Sequence, residues 1–191
     1  MKKVLFGLAF VAILGGTRPA AANLISNGGF ETNSFTDWTV NAGATLVAGT
    51  GFAGYTPYEG DFFAALGNVG GLGTVSQSFA TTAGSAYTLS YYLASNNTFP
   101  NEFRTDIDGT TVFDQINIPF QDYTLYSYSF IASGSTSTVT FYERNDPNYL
   151  ALDNVSVVEA AVPEPSSVIL LGMGAIGLGG MALRRRARRT A

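Results

Sequence analysis

Phe103-Arg104-Thr105-Asp106-Ile107-Asp108-Gly109-Thr110-Thr111-Val112-Phe113-Asp114-Gln115 is the stretch that decides the fold. Two runs of alternating character, Phe103–Ile107 and Thr110–Gln115, flank Asp108-Gly109. A period of two turns one face of an extended chain toward a core. Asp-Gly between such runs fits a two-residue hairpin turn, because both central residues must take positive φ. Working outward, strand-like runs recur near Ala44–Ala48, Phe62–Leu66, Thr74–Phe79, Ala86–Ala94, Tyr123–Ala132, Ser137–Glu143 and Ala151–Val158. The links between them carry turn chemistry: Gly70-Gly71-Leu72-Gly73, Thr82-Ala83-Gly84, Asn96-Asn97-Thr98 and Ser133-Gly134-Ser135. No apolar stripe recurs at helical spacing and nothing repeats at a fixed period. About nine short strands therefore predict an all-β fold, an antiparallel β-sandwich.

Composition narrows the function classes. At 191 residues the chain has room for one domain, two at most. The formal net charge of −4 hides an uneven distribution. Lys2, Lys3 and Arg18 open the chain, and Arg184, Arg185, Arg186, Arg188 and Arg189 close it, leaving only Arg104 and Arg144 between. Residues 23–162 set those two arginines against thirteen acids, a net of −11. Such a middle repels phosphate backbones and argues against a nucleic-acid partner. The absence of His excludes Ser-His-Asp chemistry and His-ligated zinc, and the absence of Cys excludes disulfides and thiol nucleophiles. A carboxylate enzyme, a binding module or a structural surface protein remains.

Both ends read as addresses. Lys2-Lys3, an apolar run from Val4 to Leu14, and a small-residue exit with Ala20 and Ala22 make residues 1–22 a secretory signal peptide, a helix for signal peptidase to remove. The alternative, a membrane anchor, needs a longer run to cross about 30 Å of hydrocarbon. At the other end Pro163-Glu164-Pro165 precedes an apolar, Gly-rich segment, about 166–183, and then Arg184, Arg185 and Arg186. Eighteen residues just suffice for a single transmembrane helix, with the arginines on the cytoplasmic side. Its glycines make a poor permanent anchor.

This tail, residues 161–191, resembles the sorting signal of PEP-CTERM proteins. The resemblance implies recognition and cutting near Pro-Glu-Pro by an exosortase, a membrane transpeptidase-like cysteine protease of Gram-negative bacteria that make extracellular polysaccharide. Two prolines keep the site extended, the form a protease can bind. The expectation is export through the inner membrane, transient anchoring, and then residence at the outer surface or outside the cell. An ordinary single-pass anchor with a Pro-containing linker is the alternative.

Residues 23–160 are the part left to fold, and about 140 residues bury roughly two-thirds of their extended surface. Asn23-Leu24-Ile25-Ser26-Asn27-Gly28-Gly29-Phe30-Glu31, with Trp38 after it, resembles the opening of galactose-binding-like, carbohydrate-binding-module jelly rolls. Leu152-Asp153-Asn154-Val155-Ser156-Val157 resembles their closing strand. The resemblance implies a structural calcium held by Glu31 and Asp153; Asn154 stands where the family often has a second acid. Calcium takes six to eight oxygens, and an exported protein meets it at millimolar level. The alternative is that both carboxylates serve the surface or a turn.

No pair of acids has the look of a catalytic pair. Asp106 and Asp108, near a hairpin tip, read as hydrated turn residues, whereas a glycosidase needs two carboxyls flanking one bond with one pKa raised. Glu143 and Arg144 point to opposite faces. Among aromatics, Tyr87 and Tyr91, like Tyr126, Tyr128 and Phe130, line strand faces and read as core, and so does Trp38. Tyr55, Tyr58 and Tyr149, in loops, are the candidates for an exposed sugar-stacking surface. The reading is a non-catalytic surface or matrix protein that associates with extracellular polysaccharide and requires no cofactor. Its rivals are a structural surface protein without specific glycan binding and, more remotely, a carboxylate glycoside hydrolase.

Overall fold

The computed structural model describes residues 22–160. The predicted signal helix and transmembrane helix lie outside them. Ten strands follow in order: β1 (Thr39–Asn41), β2 (Leu46–Gly49), β3 (Phe62–Leu66), β4 (Gly73–Ala80), β5 (Ala86–Ser95), β6 (Asn101–Ile107), β7 (Thr110–Ile116), β8 (Gln121–Ile131), β9 (Thr136–Asn145) and β10 (Leu150–Glu159). No α-helix occurs among the described residues. The strand that sequence reading missed is β1, whose three residues are too few to show an alternation.

The strands form two five-stranded antiparallel sheets, β1-β4-β9-β6-β7 and β2-β3-β10-β5-β8. The predicted hairpin is present: Asp108 and Gly109 sit at φ 50° and 76°, and β6 pairs with β7 across them. Asp108 caps the neighbouring strand by accepting the Thr138 N–H. Asp106 corrects the sequence reading, being buried rather than hydrated. A register shift between Thr105 and Asp106 accompanies its burial, where it accepts the Thr111 hydroxyl and faces Arg104 at 3.3 Å.

Between the sheets lies an aromatic core. Tyr91, Phe103 and Phe141 are fully buried and pack on one another, with ring centroids 5.1 to 5.7 Å apart. Trp38 extends the stack, touching Phe30 and Phe141, while its indole N–H donates to the Asn27 carbonyl. Tyr87 and Trp38 are core, as expected; Tyr126, Tyr128 and Phe130 are half-buried along its rim. Glu143 is wholly buried, accepting the Thr45 hydroxyl and the Asn68 N–H, and burial pushes its carboxyl up.

The second sheet is also covered on its outer side. Phe62-Phe63-Ala64-Ala65-Leu66 is apolar on both faces, the pattern of a strand buried twice. Phe63, Ala65, Ala94 and Ala151 face outward and are sealed by the segment 50–58, with Tyr55, Phe52 and Tyr149 packed over them. Small alanines let that segment approach the sheet closely. Both ends of the chain described are tied in: Leu24 N–H donates to Val157 and Ala160 N–H to Ala86. All ten strands and both apolar clusters thus lie within one self-contained unit.

Candidate functional site

The segment 50–62 builds two adjoining features on the outer face of the second sheet. The first is a cleft of about 560 Å³ between this segment, the end of β5 with Asn96 after it, and the start of β8 with Phe120 before it. Tyr58 forms part of its wall. Tyr58 is 43% exposed, and its ring stacks on Tyr92 with centroids 3.6 Å apart, while Tyr123 meets it edge-on at 5.8 Å. Phe120, 67% exposed, stands at the cleft, with Asn96 and Gln121 beside it. Asp122 is the one charged residue in the lining. The Tyr123 hydroxyl is buried without a partner, and burial with the charge of Asp153 raises its pKa.

Of the three tyrosines expected on an exposed surface, only Tyr58 is there. Tyr55 is buried at 8% exposure, and its ring packs edge-on to Phe63. Its hydroxyl donates to the Tyr149 carbonyl, and burial pushes it up to about 12. Tyr149 is half-buried against Phe52. Both support the floor and wall instead of offering rings to solvent. Sequence reading passed over Tyr92 and Tyr123. The signal for Tyr92 was present: with Tyr91 in the core, strand alternation must turn Tyr92 outward.

The second feature is the pair Glu31 and Asp153. A bulge between Asp153 and Ser156, with Asn154 at φ 48°, leaves Asp153 opposite Tyr92 on the outer face while Val155 returns to the core. Asp153 is fully buried and accepts N–H groups of Tyr58 at 2.8 Å, Glu59 at 3.2 Å and Asn154 at 2.6 Å. Glu31 accepts those of Asp61 at 3.0 Å and Phe62 at 3.2 Å. Two carboxylates thus hold one loop, residues 58–62, that ends the cleft wall. Gly60 permits this, since a Cβ there would stand 2.3 Å from the Glu31 carboxylate. Gly28 permits the opening segment to lie on β10, where a Cβ would stand 2.0 Å from the Val155 carbonyl.

Burial pushes the Asp153 carboxyl up to about 6; the backbone N–H groups oppose that and the Glu31 charge adds to it. Among the described residues no cationic side chain offsets the pair. Arg104, stacked on Tyr142, and Arg144, paired with Asp146, lie on strands of the other sheet. Hard, anionic oxygens lacking a counter-charge are what calcium takes, so the residues fit such an ion in charge and hardness. They supply only part of its shell, and no group of three metal-binding side chains occurs among the described residues.

Of the residues assigned to processing, Ala22 is described and exposed. Ala20, Pro163, Glu164, Pro165, Arg184, Arg185 and Arg186 lie outside the described residues.

Comparison with known proteins identifies the tail motif and the fold. Residues 161–187 match the PEP-CTERM protein-sorting motif, so the chain carries that signal. No curated protein matches the chain. Among solved structures, the domain is similar to TmCBM61, solved with β-1,4-galactotriose: TM-score 0.60, 15% identity, 73% of this chain and 100% of that one. It is also similar to the CBM22-1 xylan-binding domain of Paenibacillus barcinonensis Xyn10C, with TM-score 0.52, 17% identity, and 77% and 100% coverage. The C-terminal family 22 carbohydrate-binding module of Clostridium thermocellum Xyn10B gives TM-score 0.50 at 16% identity, covering 73% of this chain and 99% of that one. The fold is that of carbohydrate-binding-module jelly rolls. This chain joins such a jelly roll to a PEP-CTERM sorting motif.

Proposed function

We propose that this is an exported surface or matrix protein whose jelly roll binds extracellular polysaccharide without cleaving it. Signal peptidase would act after Ala22 and exosortase near Pro163-Glu164-Pro165, with the membrane segment holding the chain until then. The observation that carries the glycan reading is the exposed Tyr58 ring stacked on Tyr92 at the wall of a cleft bordered by amide side chains. Sugar rings present C–H faces to aromatic rings and hydroxyls to amides. A binding role, not hydrolysis, suits the carboxylates: Asp122 stands alone in the lining, and Asp153 and Glu31 are engaged by backbone N–H groups. Glu31 and Asp153 would hold a calcium ion beside the loop; its charge would offset theirs and fix the wall that carries Tyr58.

Co-sedimentation of residues 22–160 with the host's exopolysaccharide, in calcium and in chelator, tests this reading. Saturable binding that falls about tenfold or more in Tyr58→Ala is expected, the usual cost of losing an aromatic anchor. No binding in either buffer would leave the structural surface protein as the reading.

A further inference from the structure

Four edge strands bound the two sheets, and three of them are short or interrupted. β1 has three residues and β2 four; β7 has seven, carries Asp114 and pairs through a register shift. Short strands, charges and bulges are how sheets avoid pairing with other chains. β8 carries Asp122 and a register shift against β5 only at its start, between Gln121 and Thr124, and none of these beyond it. It runs for eleven residues and pairs only with β5. From Tyr123 to Ile131 it holds no charge, proline or glycine, in a domain of net charge −11. Neither does β5 behind it, Ala86–Ser95, hold a charge.

The side chains of β8 also ask for cover. Leu125 and Ile131 are 53% and 71% exposed, and Tyr126, Tyr128 and Phe130 are half-buried core rim. We propose that β8 is a self-association edge: two copies of this chain pair β8 with β8, antiparallel about Ser127, joining their second sheets across a two-fold axis. A second copy is the occupant because the edge complements itself. Pairing about Ser127 sets Tyr126 against the partner's Tyr128, Leu125 against the partner's Ser129, and Tyr123 against the partner's Ile131. Every opposed pair is uncharged, and Asp122 falls outside the paired stretch, so no like charges meet within the contact and only the net charge of the two domains opposes it.

The chain contains no cysteine, which makes the register directly testable in residues 22–160. Residues opposed on antiparallel strands have Cα atoms about 4.5–5.5 Å apart, within disulfide range. Ser127→Cys is therefore expected to form a disulfide-linked dimer under mild oxidation far faster than Ser78→Cys, an exposed position on the other sheet. Sedimentation should show twice the monomer mass, with association strengthened by salt because screening relieves the net repulsion. Ser127→Lys places like charges on the axis and should weaken association at least about tenfold. Ser127 is exposed, so the unfolding midpoint of that variant serves as the folding control. Monomer mass at every concentration would overturn the proposal. So would a dimer that Ser127→Lys leaves intact and Ser127→Cys does not trap.

Discussion

Asp153 sits where a carboxylate costs most, fully buried beside the like charge of Glu31. Its folded pKa of about 6 lies above the ~3.9 of an unfolded aspartate, so the folded state binds more protons between those values. In chelator, this group's contribution to stability should be full below about pH 4 and fall by about 2–3 kcal/mol as pH rises through 6. Buried Glu143 pushes in the same direction. Urea unfolding from pH 4 to 7.5 measures this, and Asp153→Asn should flatten the curve. Calcium would reverse the sign, because it binds the carboxylate form. A midpoint that rises with millimolar calcium at pH 7.5, and fails to rise in Asp153→Asn, would establish the ion. These two acids were legible from the opening and closing motifs. That five backbone N–H groups would converge on them was not, since the segment supplying four of these lies far from both in sequence.

Elements divide by how local their cause is. The β6–β7 hairpin follows from Asp108-Gly109 alone, and Gly109 at φ 76° has no atom near a would-be Cβ. Gly109→Ala should therefore cost about 1 kcal/mol, through backbone strain and not collision. The midpoint should shift and the urea m-value should not. Gly28→Ala differs, since its Cβ would meet the Val155 carbonyl at 2.0 Å. It should cost several times more, on the order of 3 kcal/mol, and loosen the opening segment from β10. Alternation located the long strands well. It misplaced Tyr55, because the segment 50–58 carries turn-like residues yet packs on a sheet whose outward alanines invite cover. Asp106 was misread for a related reason: the register shift beside it buries a position that simple alternation near a hairpin tip leaves wet.

At the scale of the molecule, β10 runs from the cleft to the end of the described chain. Ala151 pairs with Ala94 at the cleft, and eight residues on, Glu159 pairs with Tyr87 where the chain leaves toward its sorting motif. β10 bulges on the way, and the partner strand β5 covers the same distance in seven steps from Ala94 to Tyr87, so at about 3.4 Å per residue the cleft and the exit stand about 24 Å apart. Under the proposed function, a domain held by its tail would carry its cleft at the opposite end of β10 from the point where the chain leaves at Ala160. Full chain reconstituted in lipid vesicles should bind polysaccharide with the affinity of the free domain; a marked loss would show that the membrane covers the cleft. The C-terminal sorting motif, the sandwich class, the hairpin turn and the acidic balance were determined by sequence alone, because each rests on neighbours in the chain or on composition. Which tyrosine is exposed, how Asp153 and Glu31 share one loop, and which strand is left with an open edge were decided only by tertiary structure. Each depends on what packs over a face from elsewhere in the chain, and alternation says that a residue points outward without saying what covers it there.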